Sequence, residues 1–209
     1  IIGESEFLPQ TPMSKRERIS PVDTAWLRMD RPNNLMMIVG IMMFDEPTDY
    51  ARLRRTLEAR PLPARRFRQK VVPDAPGAWW ADDEDFDLDG HLHHAALPAG
   101  DQKVELQKMA AELMSTPLDP NRPLWSYHLV DSYDGGSALV VRIHHCIADG
   151  IALIGVVLSL TDTAPDAPER PGPPLEMASE DGPDGFFWHR VFEPVTQRMI
   201  SAINMSTHA

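Results

Sequence analysis

Apolar residues fall along this chain in runs, alternations and helical stripes that change character at turn residues. Residues 35–44 are continuously apolar and predict a strand buried on both faces. Residues 49–60 put Leu53 and Leu57 on one helical face, with Arg52, Arg54 and Arg55 outside it. Residues 69–72 and 77–81 read as a hairpin, with 73–76 at its turn. Residues 101–114 carry a stripe of Val104, Leu106, Met109, Ala110 and Leu113. Asp101 is placed to cap that helix and Pro117 to stop it. Residues 125–130 and 138–143 then read as two antiparallel strands joined by the turn 134–137. A buried helix is predicted at 151–160. A capped helix is predicted at 20–29, where Ser20, Pro21 and Asp23 supply the start.

These elements predict an α/β fold, a mixed sheet flanked by helices. The pattern divides the chain into four parts. Residues 1–14 are a disordered or extraneous lead, and 15–162 the folded domain. Residues 163–185, rich in Pro, Gly and acidic residues, read as a linker. Residues 186–209 resume a helical pattern in which Phe187, Val191, Val195, Met199 and Ile203 recur every fourth position. Such a stripe must dock on something: another half, another chain or a membrane.

Charge and composition narrow the function classes. The 209 residues carry a net charge of −11, which argues against a nucleic-acid surface. The single cysteine, Cys146, rules out an internal disulfide and suits a reducing cytosol. With no apolar run of 18 residues, any membrane contact is expected to be peripheral. The basic residues between Arg52 and Lys70 could meet phosphates or anionic headgroups, or form a solvated face. The methionines of 35–44 suit core or an acyl-chain lining, and core is the commoner use. His91, His93 and His94 invite a metal reading. On a strand, however, His94 points away from the other two, and no cysteine completes a zinc spacing.

The densest chemistry is at 139–150, where an apolar strand ends in His144-His145-Cys146-Ile147-Ala148-Asp149-Gly150. Neutral imidazole can take a proton from a hydroxyl and return it to a leaving group. By pattern alone the pair reads equally as satisfied core histidines. Cys146 reads as packing, and Asp149-Gly150 as a tight turn.

That heptapeptide matches the HHxxxDG signature of CoA-dependent acyltransferases. The chain most resembles the bacterial wax ester synthase/diacylglycerol acyltransferase family. Ser20-Pro21-Val22-Asp23, Phe86-Asp87 with His91, and Pro117-Leu118-Asp119 with Pro123-Leu124-Trp125 agree with that family in order and spacing. The resemblance implies a chloramphenicol-acetyltransferase-like architecture in which this chain is the N-terminal half of a two-domain enzyme. It implies an acyl-CoA-dependent O-acyltransferase that makes triacylglycerol or wax ester. His145 would be the general base on the acceptor hydroxyl, with His144 orienting. Asp149 would hold the loop through an arginine such as Arg142, and Gly150 would allow close backbone approach. Pro123, Leu124 and Trp125 would shape the site wall. The implied partners are acyl-CoA, diacylglycerol or a long-chain alcohol, and a complementary C-terminal half. No cofactor and no metal is implied, since acyl-CoA is the substrate. The implied location is cytoplasmic, peripheral at a membrane or lipid droplet. A condensation-type enzyme with another acceptor and a non-catalytic lipid-binding half-domain are the alternative readings.

Overall fold

The computed structural model describes residues 16–62, 64–75, 77–148, 156–162 and 164. The elements are β1 (Glu17–Arg18), α1 (Pro21–Met29), β2 (Met37–Phe44), α2 (Tyr50–Ala59), β3 (Gln69–Asp74), β4 (Gly77–Asp82), β5 (Leu92–Ala95), α3 (Gln102–Ser115), β6 (Trp125–Tyr133) and β7 (Gly136–His144). Residues 156–159 are helical, within the helix expected at 151–160. The expected lead, most of the linker and the C-terminal stripe lie outside the described residues.

The helices start where capping chemistry puts them. Ser20 Oγ accepts the Asp23 N–H at 3.0 Å and donates to the Asp23 carboxylate at 2.8 Å. Asp49 accepts from the Arg52 N–H, and Asp101 from the N–H groups of Lys103 and Val104. α3 ends at Ser115, two residues before Pro117. It buries Leu106 and Ala110, whereas Val104, expected on the apolar side, is 42 % exposed.

Two sheets form. One has the order β1-β4-β3, all antiparallel. The other has the order β2-β7-β6-β5, with β5 parallel to β6 and the remaining pairs antiparallel. A parallel neighbour needs a crossover, and α3 supplies it. β7 is central and buried at every position, which explains the apolar residues at 138–141 and 143, with Ser137, Arg142 and His144 as its buried polar positions. One face of this sheet packs Trp125, Tyr127, Leu129, Val141 and Ile143 against Leu57, Phe67 and Trp80. The other packs Val130, Ala138 and Val140 under Leu106 of α3.

β2 departs from expectation. Its apolar run predicts burial on both faces, yet among the described residues it is an edge strand paired only with β7. Ile38, Met42 and Phe44 face the larger core, while Ile41 and Met43 are 42 % and 65 % exposed. An apolar run reports composition, not sheet position, and the order of strands is a long-range property.

The β6–β7 hairpin is tighter than the expected 134–137 turn. Tyr133 pairs with Gly136 across Asp134-Gly135, whose φ values are 49° and 82°. Both are left-handed, as a two-residue type I′ turn requires. Gly136 is needed for a different reason. A Cβ there would collide with the carbonyl oxygen of Phe44 and the backbone of Asp45. Gly136→Ala is therefore expected to cost about 1–3 kcal/mol by forcing the ends of β2 and β7 apart. Urea denaturation should show a lower midpoint with an unchanged slope.

The β3–β4 hairpin also extends further than expected, with Pro73 opposite Ala78 and Asp74 opposite Gly77. It brings basic and acidic stretches together. Arg65 makes two contacts with Asp82, at 2.8 and 2.7 Å, and Lys70 meets Asp83 at 2.9 Å. Arg66 meets Glu17 at 3.0 Å and lies over Trp80, and Arg54 pairs with Asp89 and Glu58. Asp82 and Asp83, which follow the strand expected at 77–81, are thus partners of the basic stretch. These cations brace the framework rather than stand free for phosphates.

Candidate functional site

The site forms where the end of β7 meets α1, the segment after it, and the β3–β4 hairpin. Met37 opposite His144 fixes the register of β2 on β7. Past His144 the chain turns, with the Ile147 N–H donating to the His144 carbonyl at 2.9 Å. The corner is tied to both neighbours by backbone bonds. The His144 N–H donates to the Leu124 carbonyl at 3.0 Å, and the His145 N–H to the Met36 carbonyl at 2.9 Å.

A cavity of about 310 Å³ opens at this corner. Its walls are mostly apolar, including Leu27, Leu35, Met37, Val71, Leu118 and Leu124. His144, Asp30, Arg28 and Thr24 supply polar edges. This combination of apolar lining and few polar groups is typical of small-molecule sites.

The two histidines have different surroundings. The His144 side chain is buried, and its Nδ1 accepts the Cys146 N–H at 3.0 Å. That bond fixes the neutral ring as the Nε2–H tautomer, so its lone pair is already in use. Nε2 lies 3.7 Å from an Asp30 carboxylate oxygen and has no hydrogen bond among the described residues. Burial pushes the His144 pKa down, and the Asp30 carboxylate pulls it the other way. His145 is half-buried and stacks on Trp26, with ring centroids 4.6 Å apart and planes 18° from parallel. Its buried Nδ1 has no hydrogen-bond partner among the described residues. Of the two imidazoles, His145 is the one whose basic nitrogen is not committed to the backbone.

Asp149 and Gly150 lie outside the described residues. Arg142, the expected partner of Asp149, donates to the Thr116 carbonyl and contacts the Met37 sulfur. Cys146 is buried in the core, and burial pushes its thiol pKa up, away from nucleophilic character. Of the Pro123-Leu124-Trp125 wall, only Leu124 lines the cavity. Pro123 is buried and its carbonyl accepts the Trp125 N–H at 2.8 Å. Trp125, 1 % exposed, is a core residue whose Nε1–H donates to the Phe67 carbonyl at 2.8 Å. Residues not expected at the site are Asp30, Leu35, Leu118 and the hairpin residues Val71 and Ala78. Their patterns read as ordinary helix ends, strands and loops, and only tertiary folding brings them to the histidines.

The remaining histidines go separate ways. His91 donates from Nδ1 to the Trp125 carbonyl at 2.8 Å and stacks on that ring. His93 packs on His128, and His94 pairs with Asp131 at 2.7 Å. Among the described residues no group of three metal-ligating side chains converges. Burial lowers the pKa values of His91 and His93, and that of His128 from 6.5 to about 4. A histidine lowered on folding binds its proton more readily in the unfolded chain. Stability is therefore expected to fall as pH drops from 6.5 toward 4, before most carboxylates titrate. Thermal melts should show this decline, and His128→Gln should flatten it.

Among the described residues no helix is long and apolar enough to cross a membrane. Residues 19–204 match the model of the wax ester synthase/diacylglycerol acyltransferase catalytic domain. A Mycobacterium tuberculosis protein provisionally named diacylglycerol O-acyltransferase is 30 % identical over 173 residues, covering 80 % of this chain and 35 % of its own. A Mycobacterium bovis protein with the same designation is 32 % identical over 165 residues, covering 75 % and 36 %. The chain thus spans about a third of the length of the curated relatives it matches. The solved wax ester synthase/diacylglycerol acyltransferase from Marinobacter aquaeolei superposes with a TM-score of 0.63 at 23 % identity, over 92 % of this chain and 47 % of that one. The starter condensation domain of rhizomide synthetase, solved with C8-CoA, gives 0.60 at 17 % identity over 69 % and 34 %. Both likenesses establish the chloramphenicol-acetyltransferase-like α/β fold, of which this chain covers part. With the sequence match running through the strand, the corner and the cavity walls, the chain belongs to the wax ester synthase/diacylglycerol acyltransferase family.

Proposed function

We propose that this chain is the N-terminal half of a long-chain acyl-CoA-dependent O-acyltransferase, with diacylglycerol or a long-chain alcohol as acceptor. The product is triacylglycerol or wax ester. The observation that carries this reading is the histidine corner. One imidazole, His144, has its tautomer fixed by the backbone and lines a mostly apolar cavity, and the next residue, His145, has a nitrogen left uncommitted. His145 takes the proton of the acceptor hydroxyl, and the alkoxide oxygen attacks the thioester carbonyl carbon. The tetrahedral adduct collapses, the C–S bond breaks, and the imidazolium returns the proton to the CoA thiolate. No acyl-enzyme forms. His144 orients the corner. Asp149 and Gly150 belong to the same motif, and their proposed parts are holding the loop and allowing close backbone approach. Leu124 shapes the wall. A complementary C-terminal half closes the site, and the assembled enzyme works peripherally at a membrane or lipid droplet in the cytoplasm.

The test is release of CoA thiol from palmitoyl-CoA by the enzyme containing both halves, with and without diacylglycerol or hexadecanol. Acceptor-dependent release is the expected result. Its absence with either acceptor sinks the lipid-acceptor reading. The likeness to a condensation domain favours one second reading, transfer to a different acceptor. Activity with a carrier-protein thioester donor, and none with palmitoyl-CoA, would select it.

A further inference from the structure

We propose that Trp26 and Asp30, one turn apart on α1, are positioning residues that set the two motif histidines for proton transfer. The inference rests on the reading above that His145 is the base. Residues four apart share one helical face, and here that face meets the corner at both histidines. Trp26 stacks on the His145 ring at 4.6 Å. Asp30, the C-terminal cap of α1, uses its carboxylate twice. Oδ1 accepts the Met36 N–H at 2.8 Å, and Oδ2 faces His144 Nε2 at 3.7 Å. Met36 in turn accepts the His145 N–H through its carbonyl at 2.9 Å. The contacts close a ring: helix to histidine, histidine to Met36, Met36 to Asp30, and Asp30 back to the helix through its own N–H on the Trp26 carbonyl at 3.1 Å.

The chemistry of each arm follows. An N–H donor belongs opposite a carboxylate, so Asp30 favours the same Nε2–H tautomer of His144 that the Cys146 N–H imposes from the other side. With His144 fixed this way, the backbone turn that carries His145 is fixed too. Trp26 then sets the plane of the His145 ring, which has no hydrogen bond of its own to do so among the described residues. The charged or titratable groups at this wall are Asp30 and Arg28 from the end of α1 and the two histidines themselves. α1 has no fully buried residue, so substitutions on it are readable without loss of the fold.

The experiment compares Trp26→Ala, Trp26→Phe and Asp30→Asn with the parent in the enzyme containing both halves. Asparagine keeps the oxygen that accepts from Met36 and removes the charge facing His144. Misplacing a proton acceptor by a fraction of its reach costs on the order of 10²-fold in rate. Trp26→Ala and Asp30→Asn are expected to lower kcat by that order, with KM for the acyl donor unchanged. Trp26→Phe, which still stacks, should recover most of the loss. Wild-type kcat in both Trp26→Ala and Asp30→Asn, when a separate His145→Ala variant is inactive, overturns the inference. A second readout does not depend on acyl transfer. Long-range ¹H–¹⁵N spectra of the histidine-labelled protein should show His144 as a single Nε2–H tautomer, with its Nε2 resonance shifted in Asp30→Asn, which removes the carboxylate facing that nitrogen. His144 carrying its proton on Nδ1 overturns the inference even if no acyl acceptor is found. Failure of wild-type acyl transfer alone overturns the functional reading instead.

Discussion

His145→Ala is expected to lower kcat for acyl transfer by about 10²–10⁴-fold, the range for a positioned general base. KM for the acyl donor should stay near wild type, because the interaction removed acts only as the proton moves. The fold should survive the change. His145 is half-buried, and its ring contributes one stacked pair with Trp26, worth about 0.5–1.5 kcal/mol. His144→Ala makes the necessary contrast. It strips the Cys146 N–H of its acceptor inside a buried corner, at about 1–3 kcal/mol. That variant should lose stability and activity together. An active His145→Ala beside an inactive but well-folded His144→Ala would reverse the two roles and overturn the assignment. The measurements are kcat, KM and the urea midpoint on the same preparations.

The contrast between the two histidines shows what the sequence could and could not reveal. The strand that delivers them was legible, because the apolar residues at 138–141 and 143 of β7 mark a buried strand, though not its place in the sheet. The hairpin partner was legible through Asp134-Gly135, whose residue types suit left-handed backbone. The edge position of β2 was not, since Ile41 and Met43 look the same in sequence whether covered or open. Asp30 was equally invisible. It reads as a polar residue at a helix end, and only the β2–β7 register with the bond from Met36 brings its carboxylate to His144. The basic stretch misleads for a related reason. Its charges looked free in sequence, and the β3–β4 ladder supplies Asp82 and Asp83 as partners from across the hairpin.

Trp125 is where the motif and the structure part most clearly, and its substitution should have the largest effect on stability. The resemblance places Pro123-Leu124-Trp125 at the site wall, yet Trp125 is 1 % exposed and absent from the cavity lining. Its ring stacks on His91 at 4.3 Å and meets Tyr127, Phe67 and Phe86 at 5.3, 5.9 and 6.3 Å. Its Nε1–H satisfies the Phe67 carbonyl, which anchors the segment leading into β3. Trp125→Ala would leave a cavity among four rings, at about 3–5 kcal/mol. It would also orphan the Phe67 carbonyl, at about 1–3 kcal/mol more. Against a domain stability of about 5–15 kcal/mol, that is enough to unfold much of the population. Trp125→Phe keeps most of the packing and loses the hydrogen bond, so a cost of about 1–2 kcal/mol is expected. A wall residue would behave differently, since its loss would raise KM and leave the melting temperature alone. The motif tryptophan acts through the core: it holds β6 in register, and β6 holds the strand that ends in His144. A Trp125→Ala protein with wild-type thermal stability and a raised KM would put the ring back in the site.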